Sequence, residues 1–184
     1  MRKLLFLLLL LLSLSFAGSG QLSPGYDWTN WNFLIGEWLT GSSNGLGTTG
    51  TGWVSFSTDL GGKILVRKNH AEYPAHKAKP GAVHDDLTIV YWDGGIRKAF
   101  YDDNDGHVVH YDVTISPDKK KIIFESEKNA PGQHYRLTYE AIQTDLLKLT
   151  YENAPANKPD QFLLYTEALA HRKSPAVAAT SKQP

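Results

Sequence analysis

Turn signals interrupt this chain about every 8–12 residues, the rhythm of an all-β sandwich or barrel. They fall at Asp59-Leu60-Gly61-Gly62, Asp93-Gly94-Gly95, Asn104-Asp105-Gly106, Ser116-Pro117-Asp118 and Gln143-Thr144-Asp145. Asp-Gly and Asp-Gly-Gly supply the positive φ angles that tight hairpins demand, and Pro117 presets φ for a turn. Between the turns the side chains alternate. In His107–Ile115, His107, Val109, Tyr111, Val113 and Ile115 share one face, and His110, Asp112 and Thr114 share the other. In Tyr135–Ala141, Tyr135, Leu137, Tyr139 and Ala141 lie opposite Arg136, Thr138 and Glu140. A period of two is that of a half-buried strand. The spacing predicts strands over 37–42, 51–58, 62–70, 86–92, 95–102, 107–115, 120–127, 134–142, 145–153 and 161–170. Consecutive hairpins make an up-and-down meander, and closing it removes the exposed edges of an open sheet. The expected fold is therefore all-β, a single up-and-down antiparallel β-barrel of about ten strands, whose lumen holds side chains plus one small ligand. Only Ala71–Asp85, with Pro74, Pro80, His76 and His84, breaks the alternation. It reads as a long loop, either a lid at one mouth or a flexible hairpin connection.

The first residues read as targeting. Arg2 and Lys3 precede nine unbroken apolar residues, Leu4–Leu12, and Ser15-Phe16-Ala17 places small residues around a cut. This is the three-part pattern of a secretory signal peptide, and it is short for a membrane span. The chain thus divides into a signal peptide over 1–17, a flexible lead-in over 18–26, a barrel domain over 27–173 and a disordered tail over 174–184. Of 184 residues, 19 are Lys or Arg and 19 are Asp or Glu, with two of the basic ones in the leader. The remainder is slightly acidic, which argues against nucleic acid as a partner and against a polybasic membrane patch. The chain has no cysteine, so disulfides, thiolate metal sites and Cys nucleophiles are excluded. Export without cysteine reads as periplasmic or secreted, in a bacterium.

The strongest local motif is Trp31-Asn32-Phe33-Leu34-Ile35-Gly36-Glu37-Trp38, an apolar run feeding Gly-x-Trp at the first strand. It resembles the calycin superfamily, the lipocalin-like barrels. The resemblance implies a short N-terminal helical plug at one end, with Trp38 packed beneath the barrel against a basic residue of the last strand. Gly36, Trp38 and Arg172 would be that structural signature, with Lys173 the second choice for the base. Together with Leu60-Gly61-Gly62-Lys63-Ile64-Leu65-Val66, the motif is similar to an uncharacterised bacterial family of secreted lipocalin-like domains, itself similar to nitrobindin-type haem barrels. That second likeness implies haem as a cofactor, on a histidine near the chain's end, which here is His171. The family's Trp-x-Gly is not met, since Gly41 stands one residue too far from Trp38.

Catalytic patterns are absent: no Gly-x-Ser-x-Gly, no His-Glu-x-x-His and no Walker loop. Gly41–Gly52 is glycine-rich, yet no helix follows to make it a phosphate cradle. No catalytic residue and no metal site is assigned. His107 and His110 fall on opposite strand faces, whereas His110 and Asp112 share one and would pair inside a polar lumen. Asp102–Gly106 reads as a hairpin turn rather than a calcium loop. Arg136 has two readings. If its face points inward it anchors a ligand carboxylate; if Tyr135, Leu137 and Tyr139 point inward, which is favoured, it is outside and solvated.

The expected function is binding of one small apolar or planar ligand in the lumen, with Trp38, Trp53, Trp92, His110, Arg136 and His171 as candidate ligand-binding residues. A small periplasmic enzyme using His110 and Asp112, and an interaction module with a filled barrel, are the alternatives.

Overall fold

In the computed structural model, residues 26–44, 49–76, 80–127 and 132–174 are described. The proposed leader, the centre of the glycine-rich connection and the C-terminal tail lie outside them. Ten strands follow one 3₁₀ turn, Thr29–Trp31. They are β1 (Gly36–Asn44), β2 (Thr49–Asp59), β3 (Ile64–Tyr73), β4 (Ala82–Asp93) and β5 (Ile96–Asp103), then β6 (Val108–Ile115), β7 (Lys121–Ser126), β8 (His134–Gln143), β9 (Leu146–Ala154) and β10 (Leu163–Arg172). Each strand pairs antiparallel with the next, and β1 pairs with β10, so the sheet closes on itself. Closure leaves no strand edge to protect, which is the physical reason a meander of this length ends as a barrel.

Local chemistry explains the hairpins. Between β4 and β5 the chain reverses on Gly94 and Gly95, both at positive φ (56° and 89°), a geometry that glycine reaches without steric strain. The segment read as a long loop begins and ends in ladder instead: Ala71, Glu72 and Tyr73 pair with His84, Val83 and Ala82. Pro74 and Pro80, which cannot donate to a ladder, stand just outside the two strand ends.

The pleat sends one face of every strand into the lumen. Val54, Phe56, Leu65, Val90, Tyr111, Val113, Ile122, Phe124, Tyr139 and Leu147 are buried on it. One end of the lumen is closed by Trp28, Trp31 and Leu34 of the N-terminal turn, all buried against this core. Trp31 meets Phe124 edge-on at 6.0 Å between ring centroids, and Phe124 does the same with Tyr111 and Tyr139. The outer wall carries ion pairs between neighbouring strands, among them Lys98–Asp112 at 2.7 Å and Lys121–Glu140 at 3.1 Å. No helix among the described residues is long and apolar enough to cross a membrane.

Candidate functional site: the open end of the barrel

At the plugged end Trp38 is fully buried and its indole N–H donates to the Leu34 carbonyl at 2.8 Å. The Arg172 guanidinium lies 4.1 Å from the Trp38 ring centroid and donates to the carbonyls of Ile35 (2.8 Å) and Phe33 (2.9 Å). Gly36 sits at φ +126°, and a Cβ there would come within 2.8 Å of Arg172 Nη1. Only glycine allows that approach. These three residues form a structural lock, remote from the open mouth.

The opposite end is different in kind. Tyr101, Val109, Tyr135, Leu149 and Tyr151 also face the lumen, yet they are only half-buried. They line a cup whose floor is Tyr111, Tyr139, Arg67 and Thr88, all buried. Tyr135 and Tyr151 stack nearly parallel, 6.0 Å apart, and Tyr165 stands edge-on to Tyr151 at 5.8 Å. A register shift between Leu164 and Thr166 is what frees Tyr165. The alternation alone groups Tyr165 with Glu167, Leu169 and His171, whereas the bulge re-aims it at the mouth.

A hydrogen-bonded chain runs from the floor to the rim. Arg67 Nε donates to the Tyr139 hydroxyl, and Arg67 Nη1 donates to Asp86 in a buried ion pair, with side chains 5% and 3% exposed. Asn69 Nδ2 donates to the other Asp86 oxygen at 3.0 Å, and His84 Nε2 stands 3.4 Å from it. The Tyr101 hydroxyl lies 3.2 Å from His84 Nε2 and donates to Asp103 at 2.9 Å. Asp103 accepts further from the backbone N–H groups of Asp105 and His107 and contacts His107 Nδ1 at 2.9 Å.

Electrostatics follow from this geometry. Burial opposes the charge on Arg67, but Asp86, Tyr139 and Tyr101 together outweigh it and raise the guanidinium pKa further. Burial pushes the Tyr139 phenol up to about 12, against the pull of Arg67. Burial also raises Tyr101, Tyr111 and Tyr151, with Asp86 adding to each, so all remain neutral phenols. The hydrogen bond to Asp86 raises His84, with desolvation opposing. Burial works to raise Asp103, but the bonds from His107 and Tyr101 outweigh it and hold its carboxyl below the usual range.

Most candidates named from sequence stand elsewhere. Trp53 is on the outer wall, 40% exposed and stacked on His70 at 6.0 Å. Trp92 is at the plugged end, with the Arg97 guanidinium 4.2 Å from its ring centroid. His110 points outward against Phe100, and Asp112 pairs outside with Lys98. The lumen therefore contains neither, because the odd face of β6, with Tyr111 and Val113, takes the interior. Arg136 is on the outer wall, bidentate to Glu152 at 2.7 and 2.9 Å and under the Phe162 ring. His171 is exposed, because its neighbours Ala170 and Arg172 take the inner face; a haem in the lumen has no ligand there. Among the described residues, His84, Asp103 and Asp105 have ligand atoms within 4.8 Å of one another. A shallow depression of about 430 Å³ runs along β3–β5, bordered by Trp53, Lys68, Leu87 and Asp102 and also by Asn69, Asp86 and Asp103.

Sequence reasoning missed Arg67, Asp86, Thr88, Tyr101 and Tyr151. One signal was present: Arg67 stands in phase with Leu65, and Asp86 and Thr88 with Val90, so charge lies on the apolar stripes of β3 and β4.

No family model and no curated protein matches this chain. Among solved structures it is similar to a de novo designed fluorescence-activating β-barrel, at 8% identity over 77% of this chain and 95% of that one, TM-score 0.42. It is also similar to the S-type phycobiliprotein lyase CPES from Guillardia theta, at 8% identity, 79% and 91% coverage, TM-score 0.49. A third is EF1p2_mFAP2b bound to DFHBI, at 9% identity, 78% and 97% coverage, TM-score 0.41. Likeness of this degree carries nothing about a ligand, and the barrel rests on its own closed ladder.

Proposed function

We propose that this chain is an exported small-molecule-binding barrel that holds one compact, planar or apolar ligand in the cup at its open end. The observation that carries the reading is the division of the lumen. Its lower half is packed solid with fully buried side chains and sealed by the N-terminal turn. Its upper half presents half-buried tyrosines around a buried Thr88 hydroxyl that has no hydrogen-bond partner. A concave, mostly aromatic surface with a few placed polar groups is the usual form of a ligand site. The packed lower half limits the ligand to the depth of the cup. The leader supports export, and an intact mass of protein recovered from the cell envelope, lacking the leader, is the expected result.

The neutral dye N-phenyl-1-naphthylamine tests the site. We expect saturable fluorescence enhancement with the wild type and its loss in Ala168→Phe, which adds a ring to the inner wall beside Leu149. Leu164→Ser, on the exposed outer wall, should leave the titration unchanged. Equal binding by all three proteins would overturn the cup as the site.

A further inference from the structure

We propose that the cup selects an organic ammonium ion, its cationic group seated among Tyr101, Tyr111, Tyr135 and Tyr151 and donating an N–H to Thr88 Oγ1. The proposal rests on the cup being a ligand site and adds the chemical class of the ligand.

Charge is the first argument. Asp86 and Asp103 are registered opposite one another across β4 and β5, both with side chains 3% exposed. Arg67 is the buried cation that faces them, and it is committed to Asp86. Two carboxylates stand against one guanidinium, with the imidazoles of His84 and His107 beside them, and Asp105 adds a third carboxylate at the rim. Like charges placed opposite one another in a ladder repel, so the mouth attracts positive charge and repels anions.

The rings are the second argument. Tyr101 and Tyr111 meet edge-on at 6.3 Å on β5 and β6, and Tyr135 and Tyr151 lie stacked on the neighbouring strands β8 and β9. Phenol faces carry the negative side of the ring quadrupole and attract an ammonium group, as in the aromatic cages that hold such ions.

Thr88 is the third, and it is independent of both. The residue is 1% exposed and its Oγ1 has no partner. Its ladder neighbours are Arg67, whose Nε and Nη1 are engaged with Tyr139 and Asp86, and Tyr101, whose hydroxyl is engaged with His84 and Asp103. The other buried side-chain atoms without partners among the described residues, Trp31 Nε1, Trp92 Nε1 and Arg97 Nε, belong to the plugged end. Thr88 alone of these is on the lumen face between Arg67 and Tyr101, and a primary ammonium can donate to its oxygen. A bare metal ion on His84, Asp103 and Asp105 is the weaker choice. Asp103 Oδ1 already accepts two backbone N–H groups, and Oδ2 is engaged by Tyr101 and His107.

Three probes with one phenyl body separate the outcomes: 2-phenylethylamine, 2-phenylethanol and 3-phenylpropionate, titrated calorimetrically into the purified protein at low salt and about pH 8, above the ordinary pKa of an imidazole. The amine is expected to bind at least about tenfold tighter than the alcohol, the carboxylate weakest, with the preference shrinking in salt. Thr88→Val removes only the unpaired hydroxyl and keeps the side-chain volume. It should lower the amine's advantage over the alcohol several-fold. Equal affinity for amine and alcohol would overturn the ammonium assignment while leaving the cup a ligand site, and tighter carboxylate binding would also overturn it, pointing to Arg67. If zinc alone displaces the amine and Thr88→Val changes nothing, the metal cluster replaces it. Failure of all three probes sinks the ammonium reading, and if the naphthylamine dye also fails to bind, the ligand site falls with it.

Discussion

The two ends of this barrel are built from the same ten strands and finished in opposite ways. At the plugged end, aromatic rings are fully buried, and Trp28, Trp38 and Arg172 each donate to backbone carbonyls. Carbonyls are fixed by the chain, so this end has one arrangement. At the open end, side chains bond to side chains: Tyr139, Arg67, Asp86, His84, Tyr101, Asp103 and His107 form one chain of partners. Such a network depends on every member being present, and it faces a cup that water reaches. The difference teaches where stability and function reside in the fold. The lock uses groups that cannot move, and the cup uses groups that a ligand can re-pair.

Breaking the lock should have the largest effect. Trp38→Ala empties a fully buried site and strips Arg172 of its ring, and should destabilise by about 3–5 kcal/mol in urea denaturation. Arg67→Met, at the junction of the two halves, leaves Asp86 buried without its cation. The expected loss is about 3 kcal/mol or more, most of it recovered when Asp86→Leu is added, because the damage is the unpaired charge rather than the missing bond. If the double variant is as unstable as the single, the floor of the cup is held by something other than that pair. At the mouth, Tyr151→Ala should cost only about 1–2 kcal/mol, since the ring is half-buried, yet abolish dye binding. A large stability loss with binding retained would erase the contrast between the ends.

The smallest effect is a pH dependence confined to the open end. Asp86 raises the folded-state pKa of His84 above its ordinary value of 6.5. Its contribution is therefore fully present below about pH 6.5 and is lost as pH rises through the folded value. The stability gap between wild type and His84→Gln should narrow from acidic to alkaline pH. A gap independent of pH would show that His84 is held by packing alone.

Much of the architecture was legible because its causes are local. Alternation marks a strand and Asp-Gly-Gly marks a reversal, whatever the rest of the chain does, and all ten predicted strands are present. Where the reading failed, at Ala71–Asp85, two prolines and two histidines hid a ladder whose partner strand lies beyond the turn.

By itself, then, the sequence determined that ten short strands would form, where they would turn, and that a Gly-x-Trp segment would open the first of them. Tertiary structure decided which face of each strand is inside. A period of two defines two faces and is silent about which one the closing sheet turns inward. That choice put His110, Asp112, Arg136 and His171 outside, and it assembled Arg67, Asp86, Thr88, Tyr101 and Tyr151 from four different strands into one cup. No spacing along the chain encodes that convergence, because it exists only once β1 meets β10.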